Sequence, residues 1–323
     1  MEQLAKILAN QSGVVSRRQA LSLGLEPHDL RRLVRRRDLT PLFPGTFVDH
    51  TGVPTWIQRA WAAVLFCAPR EPDVDCLGSA LAGRSAVRAA DGPGRGEEDG
   101  PVVVAIARDR RLVAPSGITV VRTYGLDERV QWNLGPPRMR YDEAALDVAL
   151  ACAGELDAVG AIARAVQGRH TTARRMQDAL TRRSRAPRRA FLEAVLADVA
   201  AGSCSVLERE YLERVVRPHR LPVGQRQLPD GTLSGVVYRD TALGEVLVEL
   251  DGRLFHDTAE QRDHDHERDL DAAVEGLGTV RLTWGQVVGR PCCTAAKLSR
   301  ILVRAGWPHG RPCGTSCGWL AAA

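Results

Sequence analysis

The chain has 323 residues, enough for two or three domains with their own cores. Its 44% hydrophobic fraction is that of an ordinary globular protein, and no run of about 18 apolar residues is present, which argues against a membrane span. The net charge of +5 is mildly basic and favours an anionic partner; nearly every base is arginine, lysine occurring only at Lys6 and Lys297. The start, MEQLAKILAN, lacks the layout of a signal peptide, so a cytoplasmic location is expected by default. Eight cysteines in such a chain do not read as a disulfide framework.

Residues 1–52 read as three short helices and a hairpin. Leu4, Ile7 and Leu8 repeat at helical spacing. Ser16 is a good N-cap for a helix from Arg17 to Leu23, and Gly24 supplies the turn that follows. Pro27 suits the first position of the next helix, PHDLRRLVRRRD, whose Leu30, Leu33 and Val34 face inward. Arg31, Arg32, Arg35 and Arg36 fall outside that stripe. LTPLFPGTFVDH then makes two short strands around Pro44–Gly45, a wing. A helix carrying several arginines beside a wing suits major-groove docking and phosphate contact. The plainer reading is a solvated face of an interaction helix. With its G-L before the third helix and its PGTFV ending, the segment resembles the winged helix-turn-helix of AbiEi-type antitoxins. The resemblance implies DNA binding, transcriptional repression and a cognate toxin or another defence-system protein as partner.

Residues 53–202 are expected to be a mixed α/β middle region, whose layout resembles the region that follows the winged helix in AbiEi-type chains. Trp56 to Cys67 reads as an apolar helix after the break at Pro54, and Ser79 to Ala89 as another. Asp91 to Gly100 is a polar loop. VVVAIA and ITVVR, from Val102 and Ile118, are strands, and Asp142 is expected to cap a helix through Ala151. From Arg164 to Arg189 there are nine arginines against one acid, Asp178. Such a run suits either a phosphate backbone or a solvated helix and linker.

A third domain is expected over 203–323. Ser205 can cap a helix through Val216 with Leu207, Tyr211, Leu212 and Val215 buried. GVVYRD and EVLVELDG then read as two strands joined by a type II′ turn at Gly244–Glu245. That register sets Asp240 opposite Glu249, about 5 Å apart between Cβ atoms. Two carboxylates so close need a cation between them, and oxygen ligands favour a hard one such as Mg²⁺ or Mn²⁺. A helix over 258–275, a strand at Thr279–Thr283 and a last helix from Thr294 to Ala305 complete an α/β sandwich.

Asp240, VELDG, His256, the D-x-x-R run from Asp265 to Arg268, and VRLTWGQV together resemble the very-short-patch-repair endonuclease relatives of the PD-(D/E)XK superfamily, over residues 203–304. The resemblance implies an Mg²⁺-dependent DNA endonuclease. Asp240, Glu249 and Glu208 would hold the metal, His256 would act as general base or shuttle, and Asp251 would orient His256 or complete the metal shell. Asp251 stands where the superfamily's usual catalytic Lys would be, which keeps a non-catalytic, antitoxin-type regulator as the alternative. Arg268 and Arg281 would contact phosphate or pair with nearby acids. In the tail, Cys292, Cys293, Cys313 and Cys317 offer four thiolates to a structural zinc, but the loose C-x-x-x-C spacing and the adjacent pair count against it.

Overall fold

The computed structural model describes residues 2–69, 77–92, 100–201, 205–232, 235–251, 266–267, 269–270, 272–274 and 276–319; side chains at 205 and 225–240 are outside the description. Two compact units result, Met1–Val148 and Ala149–Ala323. Each is an α/β mixture, and no helix among the described residues is long and apolar enough to cross a membrane.

The first unit opens with α1 (Glu2–Asn10), β1 (Val14–Ser16), α2 (Arg17–Ser22), α3 (Pro27–Arg36), β2 (Thr40–Phe43) and β3 (Thr46–Val48). Local chemistry dictates most of these boundaries. Ser16 accepts from the Gln19 backbone while the Gln19 side chain bonds back to Ser16, a reciprocal capping box. Gly24, at φ +87°, makes the turn between α2 and α3. The three strands pair in the order β1-β3-β2. Leu4, Val15, Ala20, Leu30 and Leu39 form the small core beneath, with Leu33 and Val34 packed on it. This is the three-helix-and-hairpin layout expected from the sequence.

A second sheet follows. Thr55 caps α4 (Trp56–Cys67), almost wholly buried. The sheet has the order β6-β5-β4-β8-β7, built on β4 (Ser79–Leu81), β5 (Val102–Ala107) and β6 (Ile118–Thr123), with short β7 (Val130–Gln131) and β8 (Arg138–Met139). The single helix expected from Ser79 is instead this strand followed by α5 (Gly83–Asp91). Ser79, Ala80 and Leu81 are all buried and pair with Ile106, Ala105 and Val104 of β5, and Gly83 at φ +46° separates strand from helix. A short α6 (Leu126–Arg129) precedes β7. Helix α7 (Tyr141–Ala151) begins before Asp142, which lies within the first turn rather than capping it.

The second unit begins with helices α8 (Glu155–Gln167), α9 (Ala173–Thr181) and α10 (Arg189–Ala201). Helix α11 (Ser205–Glu210) continues into a π-helical turn, Tyr211–Val216, and then α12 (Arg217–His219). The wider π turn alters the buried stripe: Val216 joins Leu207, Tyr211 and Val215, and Leu212 is only half-buried. Strands β9 (Gln225–Thr232), β10 (Gly235–Leu243), β11 (Val246–Asp251) and β12 (Gly278–Thr283) form a mixed sheet in the order β12-β11-β10-β9, with β11 and β12 parallel. The helix expected over 258–275 lies largely outside the described residues; 266–267, 269–270 and 272–274 are helical. A π turn at Gly285–Gly289 leads to α13 (Pro291–Arg304), which starts three residues earlier than expected because Pro291 takes its first position.

Candidate nucleic-acid interface

Residues 1–52 carry eight basic and five acidic side chains, so a sixth of the chain holds more than half of its net charge of +5. That excess is concentrated on α3. Pro27 sets the first turn, the Glu26 amide donates to the Asp29 carboxylate at 3.1 Å, and Arg37 ends the helix in the left-handed region at φ 66°. Burial of Leu30 orients the helix, and Arg31, Arg32, Arg35 and Arg36 are all exposed. Arg32 pairs with Asp29 at 2.9 Å, one turn back on the same helix. Arg31, Arg35 and Arg36 carry no ion pair with another described residue. Arg35 and Arg36 also lie in the last turn, where a cation is favoured by the helix dipole, so part of their role is local.

The hairpin beside α3 is fixed by its own turn. Gly45 lies at φ +76°, and Thr46, buried, accepts a hydrogen bond from the Phe43 amide through Oγ1 at 3.1 Å. The Arg17 amide donates to the Gly45 carbonyl at 2.7 Å and ties the start of α2 to this turn. Arg18, by contrast, is turned inward onto the carbonyls of Leu65, Ala68 and Pro69. It is a structural arginine, whereas those of α3 present their charge to solvent.

The run from Arg164 to Arg189 divides in the same way. Arg164, Arg169, Arg174, Arg175, Arg182 and Arg185 are exposed. Arg188 binds the carbonyls of Leu150, Cys152 and Ala153, and Arg189 binds those of Leu180 and Arg183 as well as Glu193.

The strand acids occupy the second unit. The β10–β11 hairpin has the expected register, Thr241 opposite Val248 and Leu243 opposite Val246, with Gly244 at φ +63° in the turn. Position 240 belongs to β10, but the Asp240 side chain lies outside the description, and His256, Asp265 and Arg268 lie outside the described residues. Glu249 and Asp251 are half-buried on β11. Glu249 sits level with Arg281 across the parallel β11–β12 pair, and the guanidinium lies 3.3 Å from its Oε2. Arg281 also bonds Asp269 at 2.8 Å. Arg281, on the neighbouring strand, thus supplies counter-charge to the half-buried Glu249. Glu208, half-buried in the first turn of α11, does not gather with Glu249 and Asp251 into a metal-sized group among the described residues.

The sequence-based reading named Cys292, Cys313 and Cys317, with Cys293, and missed the histidine that joins them. His219, Cys292, Cys313 and Cys317 bring one ligand atom each to within 4.8 Å of one another. Their thiols are in unlike surroundings. Burial and the neighbouring Cys317 and Cys313 push Cys292 up to about 11. At Cys317 burial pushes upward as well, but the backbone N–H groups of Trp319 and Cys313 outweigh it and hold the thiol at about 6. His219 escapes a spacing search because it is 73 residues before the first of these cysteines in the chain.

Residues 2–48 match the family described as transcriptional regulator, AbiEi antitoxin. The match covers α1 through β3 and stops there, so it lends no support to the nuclease resemblance of residues 203–304. A comparison with solved structures gives the crystal structure of the RV2827C protein from Mycobacterium tuberculosis. It is 18% identical, over 62% of this chain and 80% of that one, at a TM-score of 0.38, a likeness too slight to carry an argument. No curated protein matches.

Proposed function

We propose that this protein is a DNA-binding transcriptional regulator of antitoxin type, with residues 2–48 as a winged helix that reads DNA through α3. The observation that carries this is the coincidence of the family match with the arginine face: the matched segment contains the helix on which four arginines are exposed. In this reading Arg31, Arg35 and Arg36 engage phosphates or base edges in the major groove, Arg32 does so after leaving Asp29, and the β2–β3 hairpin lies against the backbone. The antitoxin relationship implies a toxin as functional counterpart.

The sheet of the second unit is then a non-catalytic module. In this module Glu249 is paired with Arg281 of the neighbouring strand.

The test is fluorescence anisotropy with the full chain, using a duplex from upstream of its own coding sequence and a scrambled duplex of equal length. A regulator binds the first more tightly by on the order of 10³-fold at physiological salt. Equal affinity for the two, or no binding, refutes the proposal. The same duplex incubated with Mg²⁺ stays intact in this reading. Cutting that disappears in Glu249→Gln would restore the endonuclease instead.

A further inference from the structure

The last thirteen described residues, Trp307 to Trp319, contain no helix or strand. Such a segment has to be held by side chains. Its backbone anchors to the rest of the unit include the Trp307 amide to the Leu302 carbonyl at 2.9 Å, the Gly310 amide to Ser299 Oγ at 2.9 Å and the Arg311 amide to the His219 carbonyl at 2.9 Å. The Trp307 indole N–H donates to the Leu243 carbonyl at 3.1 Å. At Gly310 the approach is so close that a Cβ would lie 2.7 Å from Leu221, 2.8 Å from Trp319 and 3.0 Å from the His219 carbonyl oxygen. The tail is thus laid directly against the end of α12, and there it meets the cysteines.

We propose that His219, Cys292, Cys313 and Cys317 form a structural zinc site that fastens this tail to α12 and to the start of α13. Two of the six ligand–ligand edges match it, and all four ligand atoms lie within 4.8 Å of one another. A tetrahedral zinc with Zn–S near 2.3 Å and Zn–N near 2.0–2.1 Å requires S···S edges of about 3.8 Å and S···N edges of about 3.6 Å. Cys292 Sγ and Cys313 Sγ are 3.7 Å apart, and Cys317 Sγ lies 3.6 Å from His219 Nε2. A disulfide would need about 2.05 Å, so the thiols are neither bonded nor dispersed. Three thiolates and an imidazole are a closed Cys₃His set with no position left for substrate, the pattern of a structural rather than a catalytic zinc.

The histidine is prepared for this role. It is fully buried at the end of α12, and its Nδ1 lies 2.9 Å from the Val215 carbonyl. A carbonyl can only accept, so Nδ1–H donates to it, and Nε2, which faces Cys317, is the nitrogen placed to ligate. Zinc-ligating histidines are commonly oriented by such a bond from the other ring nitrogen. Trp319 stacks on the imidazole with ring centres 5.5 Å apart and planes 19° from parallel, closing one side. Cys317 is buried, Cys292 half-buried and Cys313 exposed, so an ion enters from the Cys313 side.

Cys293 is the internal control. Although adjacent to Cys292, it turns away and contacts the Gly318 carbonyl at 3.4 Å. The adjacent pair that argued against a four-cysteine site does not have to ligate one ion: one of the two leaves, and His219 takes the fourth place. The plainer alternative is a cluster of reduced thiols in which Cys292 and Cys313 hydrogen-bond at the same 3.7 Å and Cys317 donates to the imidazole; metal uptake separates the two.

The experiment is elemental analysis of the full chain, purified under reducing conditions without a metal-affinity step. About one zinc per chain is expected. Cys292→Ser and Cys313→Ser lose it and Cys293→Ser keeps it. Cobalt added to the chelated, reduced protein gives the visible bands of a tetrahedral thiolate site. Removal of zinc lowers the melting temperature by on the order of 5–10 °C. Cys313 is exposed, so its serine variant stays folded by circular dichroism and tests ligation rather than folding. Iron in place of zinc, no uptake of either zinc or cobalt, a Cys292–Cys313 disulfide in the fresh protein, or zinc retained by a folded Cys313→Ser protein would each overturn the proposal.

Discussion

The arginines of α3 and those elsewhere in the chain are chemically identical and are used in opposite ways. Arg31, Arg35 and Arg36 stand out from a helix whose apolar side is buried by Leu30. Arg110 reaches inward instead, donating to the carbonyls of Cys67 at 2.7 Å and Gly78 at 2.8 Å. Arg129 grips Glu143 at 2.8 and 3.0 Å, and Arg214 joins Glu210 to Glu155. An arginine surrounded by protein acceptors stabilises the fold, whereas one surrounded by water remains available to an anionic partner. The net charge alone does not distinguish these cases; the placement of each guanidinium does.

This contrast can be broken by substitution. The largest effect is expected at Arg129, because the Glu143 side chain is only 3% exposed and would lose its guanidinium partner. Arg129→Ala should cost about 3–5 kcal/mol in urea unfolding, the usual consequence of breaking a buried pair from one side. A loss under about 1 kcal/mol would show that the pair is not structural. Arg110→Ala comes next. It deletes two charge-assisted bonds to loop carbonyls, and about 1.5–3 kcal/mol should be lost by the same measurement. An unchanged midpoint would mean that water replaces the guanidinium without loss. Ser16→Ala removes the capping box of α2 and should cost about 1 kcal/mol. No loss would contradict the view that the N-terminal segment is held by local chemistry. The smallest stability effect is expected from Arg35→Ala and Arg36→Ala, within about 0.5 kcal/mol because no buried partner is stranded. Thermal melts shifted as much as by Arg110→Ala would erase the distinction between the two arginine classes.

Legibility in the sequence followed the range of the interactions. The caps and turns at Ser16, Pro27 and Gly45 act within about four residues, and α2, α3 and the hairpin are where the sequence sets them. The Gly244–Glu245 turn fixed the register of β10 and β11 for the same reason. Ser79–Leu81 was misread as helix because a three-residue strand buried on both sides shows no alternation; only its pairing with β5 and β8 makes it a strand. Leu212 and Val216 changed places because a π turn departs from the 3.6-residue period. Arg281 was recognised as a partner for acids, but its alignment with Glu249 depends on a parallel pairing that no local pattern encodes. His219 was hidden for the same reason: 98 residues of chain separate it from Cys317, and only the tertiary fold brings them together.

The most direct test of the central claim, that α3 binds DNA through its exposed arginines, is the salt dependence of that binding. The full chain and an Arg31→Gln, Arg35→Gln, Arg36→Gln variant would be titrated against the same labelled duplex from about 50 to 200 mM salt. Each phosphate contact contributes about 0.9 to the slope of log K against log salt, so loss of three such contacts should flatten the slope by roughly 2–3 and weaken binding throughout. Equal slopes and affinities for the two proteins, with both folded, would show that DNA is not held by this helix.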